Sequence, residues 1–157
     1  MHSNAMQGQV LAEETHAGRL WAVIILAAMV GPAVSTIFYP NAPARFGLRV
    51  LAVVGIAVFL MAWNGFSYRF LREGVEIRTL GFRLRSIPKQ SIVSYSMEPW
   101  SLFRGYGIRG IGRSRAYVWG NKVVHIRTTN GDVFLGHSDP ERIVRDLNMV
   151  TGFGARD

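Results

Sequence analysis

The feature that most restricts this chain is a pair of long uncharged runs near its start. Leu20–Tyr39 reads LWAVIILAAMVGPAVSTIFY, 20 residues without a charge. As a helix it is roughly 30 Å long, the thickness of a bilayer's hydrocarbon core. It has no polar face, unlike a helix on a soluble core. Glu13 and Glu14 precede it, where a signal peptide carries basic residues, and it closes on Phe38-Tyr39-Pro40 rather than on small residues. Gly31-Pro32 predicts a kink midway. A second run of 17 residues, Val50–Phe66, follows Arg49, which is placed to snorkel toward headgroups. Because only Pro40–Arg45 separates the runs, the spacing predicts an antiparallel transmembrane hairpin over 20–66. Trp21 and Trp63 fall at one interface, Tyr39 and Phe46 at the other. Ala27, Ala28, Gly31, Gly47 and Gly55 allow close helix contact.

Ahead of the hairpin, residues 1–19 read as a polar tail. Residues 1–5 are set aside, because Ser3-Asn4-Ala5 before a second Met resembles an expression-tag remnant. Arginines set the orientation. Arg19, Arg69, Arg72, Arg78 and Arg83 flank the Trp end, against Arg45 and Arg49 at the other, which predicts both termini in the cytoplasm.

The net charge is +8, and from Asn64 onward 15 Lys/Arg face 8 Asp/Glu. Such a basic region suits phospholipid headgroups, nucleic acid or an acidic protein surface, although positive-inside bias produces the same excess. Nucleic acid is disfavoured. Trp100, Phe103, Tyr106, Tyr117 and Trp119 offer stacking surface, but no single-strand-binding signature organises them. With no cysteine there is no disulfide, thiol nucleophile or Cys-based metal site.

After the hairpin the period changes to two. Tyr68–Leu71, Val75–Leu80, Phe82–Ile87, Ser91–Met97, Arg115–Trp119, Lys122–Arg127 and Asp132–Leu135 read as about seven antiparallel strands, with an Asn130-Gly131 hairpin turn before the last. Ser138 and Glu141 have capping-box spacing, and Asp139-Pro140 suits the N-cap and first helical position. Ile143, Val144, Leu147 and Val150 then line one face of a closing helix. The expected class is α+β, with residues 67–157 forming an open barrel capped by that helix.

That order, with Glu98-Pro99-Trp100, Gly105-Tyr106-Gly107-Ile108-Arg109, Ala116-Tyr117, Gly120 before Val123-Val124-His125-Ile126, and Gly136-His137-Ser138-Asp139-Pro140-Glu141, resembles a bacterial pleckstrin-homology-like (PH-like) domain behind a two-helix membrane anchor. The resemblance covers nearly everything after residue 20. It implies a scaffold or adaptor in the bacterial inner membrane, and it implies no enzymatic activity.

Gly105-Tyr106-Gly107-Ile108-Arg109-Gly110 matches the dinucleotide pattern GxGxxG, yet leads into a strand, whereas that pattern needs a helix N-terminus to receive pyrophosphate. No P-loop, HExxH or nucleophile elbow is present, and neither His125 nor His137 has a metal-spaced partner. No cofactor, metal or catalytic residue is expected. The better use of the glycine-rich stretch is as a mobile cationic loop, with Arg104, Arg109, Arg113 and Arg115 placed to hold a phosphate or lie on anionic lipid. Its bland counterpart is a solvated loop. A second basic set is Arg78, Arg83 and Arg85 with Lys89, alternation placing Arg83 and Arg85 on one strand face; ordinary exposed sheet positions are equally charged.

The expected function is therefore a membrane-tethered, noncatalytic module that docks a protein partner. Lipid headgroup recognition by the arginine loop is the alternative. An accessory subunit of a transport complex is a third reading, weakened because neither run has an ionisable centre.

Overall fold

The computed structural model describes residues 9–38, 45–110 and 113–152. The elements are β1 (Val10–His16), α1 (Arg19–Phe38), α2 (Arg45–Asn64), β2 (Phe66–Leu71), β3 (Gly74–Thr79), β4 (Phe82–Pro88), β5 (Ile92–Pro99), β6 (Gly107–Arg109), β7 (Arg115–Val118), β8 (Lys122–Thr128), β9 (Gly131–Gly136) and α3 (Pro140–Thr151). The chain is α+β. One sheet has the order β1-β2-β3-β4, the other β5-β8-β9-β7-β6.

The first sheet follows from alternation. Phe66, Tyr68 and Phe70 of β2, with Val75 and Ile77 of β3, point inward and are fully buried. Tyr117, Val124, Ile126, Val133 and Leu135 supply the facing layer. Tyr68 ties the layers together, its buried hydroxyl lying 2.9 Å from the carbonyls of both Tyr117 and Gly136.

Three expectations need correction. Residues 1–19 are not all tail, because Val10–His16 pairs antiparallel with β2, His16 lying opposite Phe66. Its charges are satisfied across the strands: Ser67 donates to Glu13 at 2.6 Å, and Arg69 lies 3.1 Å from the same carboxylate. The boundary between hairpin and barrel also moves. Gly65 adopts φ 72° after α2, and a Cβ there would sit 2.1 Å from the His16 carbonyl, so the chain turns at a residue that only glycine suits. Phe66, the last residue of the apolar run, is thereby delivered to the core, stacked 6.1 Å from Trp119. Finally, the described residues form nine strands rather than about seven, and not all antiparallel. Beyond β1, the addition is β6 in the glycine-rich stretch. Inserting β9 between β8 and β7 makes β7 and β9 parallel, since each runs opposite to the strand sequence around β8.

The hairpin is met in part. Helices α1 and α2 pack antiparallel: the Gly18 amide donates to Ala62 O at 2.9 Å, and Met29 occupies the space beside Gly55 further along. Helix α1 continues through Pro32. Phe46–Asn64, 19 residues long, is apolar enough to cross a membrane and is almost wholly unburied. The described apolar stretch of α1, Arg19–Ser35, is shorter, so among the described residues one helix meets the length of a span, not two. Tyr39 and the connecting loop lie outside the described residues.

At the hairpin end of the two sheets, Trp21 packs 4.7 Å from Tyr106, and Gly18 abuts Trp119. The β3–β4 turn is here too, since Leu80 and Gly81 share a shallow pocket with Asn64 and Gly65. Both turn residues have positive φ, 50° at Leu80 and 81° at Gly81, as a type I′ turn requires. A leucine there costs about 1–2 kcal/mol. The connections β2–β3, β4–β5, β6–β7 and β8–β9 lie at the far end.

Helix α3 begins at Pro140 with Asp139 as N-cap, although no side chain caps it, and ends at Gly152 (φ 74°), whose amide donates to Asn148 O at 2.8 Å. Ile143, Leu147 and Val150 are buried. The helix lies against β1, β2, β5 and β8, bridging the edge strand β1 of one sheet and the edge strand β5 of the other. Each such side chain contributes about 1.5–3 kcal/mol.

Candidate functional site

A second seam lies between β4, the edge of the first sheet, and the β6–β7 end of the second, away from the strands β1, β2, β5 and β8 on which α3 packs. Pairing along β4 is irregular. Ile77 faces Arg85 and Arg78 faces Arg83, leaving Leu84 as an extra residue. This bulge breaks the alternation. Arg83 and Arg85 consequently point to opposite faces, contrary to the simple strand reading. Arg83 stays outside, 3.2 Å from Glu76. Arg85 turns inward at the edge and donates to Arg113 O at 3.1 Å, bridging the sheets.

The seam opens into a cleft of about 450 Å³ lined by Leu84, Arg85, Arg113, Arg115, Tyr117 and Asn130. Its wall is held firmly. Gly110 (φ 123°) brings its backbone against Ser114 O, and Gly131 (φ 115°) leaves room for Arg113 against the β8–β9 turn. Ser114 Oγ accepts from the Asp132 amide at 3.2 Å. Burial pushes the Tyr117 phenol above its usual pKa, while Arg85 and Arg115 act in the opposite direction. Arg85 and Arg115 thus act on one phenol, Arg113 lines the same cleft, and none of the lining residues is acidic. Planar guanidinium forks bind carboxylates and phosphates in bidentate fashion.

Grouping by sequence alone does not survive. The four loop arginines divide between the ends of the barrel. Arg104 lies over the Trp100 ring at 5.4 Å, and Arg109 folds back to donate to Tyr106 O at 3.0 Å, both toward the hairpin. Arg113 and Arg115 belong to the seam with Arg85. Lys89, in a short helical turn at the far end, is anchored through its amide to Glu73 O at 2.7 Å. The expected free loop is corrected for its described residues, which include β6 and the pinned 113–115 segment.

Two histidine clusters were not visible in the sequence. His125 lies 2.9 Å from Glu98 and 3.3 Å from Asp132, stacked on Phe134. His137 approaches Glu14 at 3.6 Å, and Arg142 reaches the same carboxylate at 2.9 Å. His16 lies beside them, its Nε2 3.2 Å from Trp119 O. Burial, then His137, lowers the His16 pKa below 6.5. Burial and Glu14 raise that of Asp146. Strand pairing assembles the first cluster and the packing of α3 on β1 the second, both from distant residues, so no spacing signal marks them. Among the described residues no group of three or more His, Asp or Glu side chains is arranged to hold a metal ion.

Comparison with protein-family models, curated proteins and solved structures finds no match to this chain.

Proposed function

We propose that the chain is a membrane-anchored, noncatalytic docking module of PH-like type. In this reading α1 and α2 cross the inner membrane as a hairpin, both termini are cytoplasmic, and the seam cleft receives an acidic segment of a protein partner. The observation that carries it is the convergence of Arg85, Arg113 and Arg115 on a cleft without a carboxylate wall. Support for the anchor comes from large apolar side chains exposed along both helices, including Leu26, Val30, Val53 and Ile56, a pattern suited to lipid rather than water.

The position of the cleft favours a protein over a lipid of the same bilayer. From Val118 back to Arg115 the strand runs about 10 Å away from the hairpin end, and Arg113 and Asn130 belong to far-end loops. The experiment is crosslinking in native membranes, gentle extraction and mass spectrometry of co-purifying material. A stoichiometric protein, lost from the Arg85→Gln/Arg113→Gln/Arg115→Gln variant, supports the reading. Anionic lipid alone, retained by wild type and lost by the variant, replaces it with headgroup recognition. A partner indifferent to the three substitutions removes the cleft from the account.

A further inference from the structure

We infer that the hairpin end of the barrel is a lipid-docking face, with Leu80, Phe82 and Phe103 dipping into the bilayer interface. This rests on the reading that α2 spans the membrane. Phe103 is 99% exposed and Phe82 73%, and Leu80 is also exposed. None of these is buried, yet Leu80 lies in the β3–β4 turn, Phe82 opens β4 directly after it, and Phe103 lies in the β5–β6 connection, all approaching the hairpin. Leu80 and Gly81 border Asn64 and Gly65, where α2 ends. Phe103 belongs to the β5–β6 connection, whose Tyr106 rests on Trp21 in the first turn of α1.

The turn itself argues that the apolar tip is selected. Both central positions have positive φ, and asparagine or glycine suits the first better than leucine. A strained residue retained at an exposed tip suggests that its side chain has a contact outside the fold. Trp63, 51% exposed at the end of α2, fixes the level of the headgroups, where amphipathic rings concentrate. Charge agrees with a lipid occupant. Arg104 and Arg109 are exposed around the apolar tips, with Arg78 and Arg83 sharing Glu76 beside them, while the nearby Glu13 carboxylate is already held by Ser67 and Arg69. Basic side chains around inserted apolar ones match an anionic bilayer surface. The domain thus lies against the membrane, and its seam cleft opens away from it.

Because the chain has no cysteine, single substitutions can carry nitroxide labels without background. The full chain is reconstituted in vesicles of mixed anionic and zwitterionic phospholipid with labels at Leu80→Cys, Phe103→Cys, Val54→Cys and Asn130→Cys. Collision with oxygen, which partitions into lipid, is compared with collision with a water-soluble nickel chelate. The expected result is high oxygen and low chelate accessibility at positions 54, 80 and 103, with the reverse at 130. Positions 80 and 103 as open to chelate as 130, with 54 still in lipid, would overturn lipid docking and leave the anchor standing. Shielding of 80 and 103 from both reagents marks a protein contact and also overturns it. Chelate access at 54 removes the spanning reading together with this one.

Discussion

The barrel's two seams are built from opposite materials. Between β1 and β5 the gap is filled by Ile143, Leu147 and Val150, buried side chains on an amphipathic helix. Between β4 and the β6–β7 end of the second sheet it is spanned by Arg85, which donates to Arg113 O, and lined by further cations. A surface that only had to be closed would be closed as the first is, because apolar burial stabilises and gathered like charges do not. The difference assigns stability to one seam and recognition to the other. An inward-turned arginine and a bulge also protect the β4 edge from pairing with another chain.

The sharpest break of this contrast is a matched pair of substitutions. Leu147→Ala should lower the unfolding free energy of the barrel by about 2–5 kcal/mol, whereas Arg85→Ala, at a partly exposed site, should change it by about 1 kcal/mol or less. Denaturant unfolding followed by Trp fluorescence checks both. Equal losses would erase the distinction between the seams. Between them in size lies Tyr68→Phe, which leaves buried carbonyls without their hydroxyl donor and should cost about 1–2 kcal/mol in the same assay.

The smallest expected effect is pH-dependent and concerns the α3 seam alone. Burial holds the His16 imidazole below its usual pKa of 6.5, with His137 adding to the effect, while Glu14, Arg142 and Asp146 also border this cluster. The unfolded chain therefore binds this proton more readily than the folded one. The resulting stability is complete above pH 6.5 and is lost as pH falls. Asp146 has the opposite sign: its pKa is raised by burial and by Glu14, so its protonation favours the fold. In the Asp146→Asn background, wild-type His16 should show a steeper drop in melting temperature below pH 6.5 than His16→Gln. Parallel profiles would exclude His16 as the titrating group.

Much of the architecture was legible because local pattern and tertiary role coincide. Val75 and Ile77 alternate with polar residues and face the core, and Ile143, Leu147 and Val150 recur at helical spacing and cap it. β1 was hidden because its glutamates are matched by residues distant in sequence, Glu13 by Ser67 and Arg69 and Glu14 by His137 and Arg142. β6 was hidden because three residues among glycines carry no readable period, and pairing with β7 defines them. At the candidate site the residue type was legible but the grouping was not. Arg85 and Arg113 are 28 positions apart, and the bulge at Leu84 reverses the face that alternation assigns to Arg85 relative to Arg83.

The claim that the arginine seam exists for recognition is tested most directly by photocrosslinking from inside it. A benzophenone amino acid replaces Leu84, a cleft-lining residue, and cells are irradiated with the protein in its own membranes. The account predicts one discrete protein adduct from this position, abolished when Arg85, Arg113 and Arg115 are replaced by glutamine while the fold is retained. An adduct that persists through those replacements, or a cleft that yields none, would contradict it.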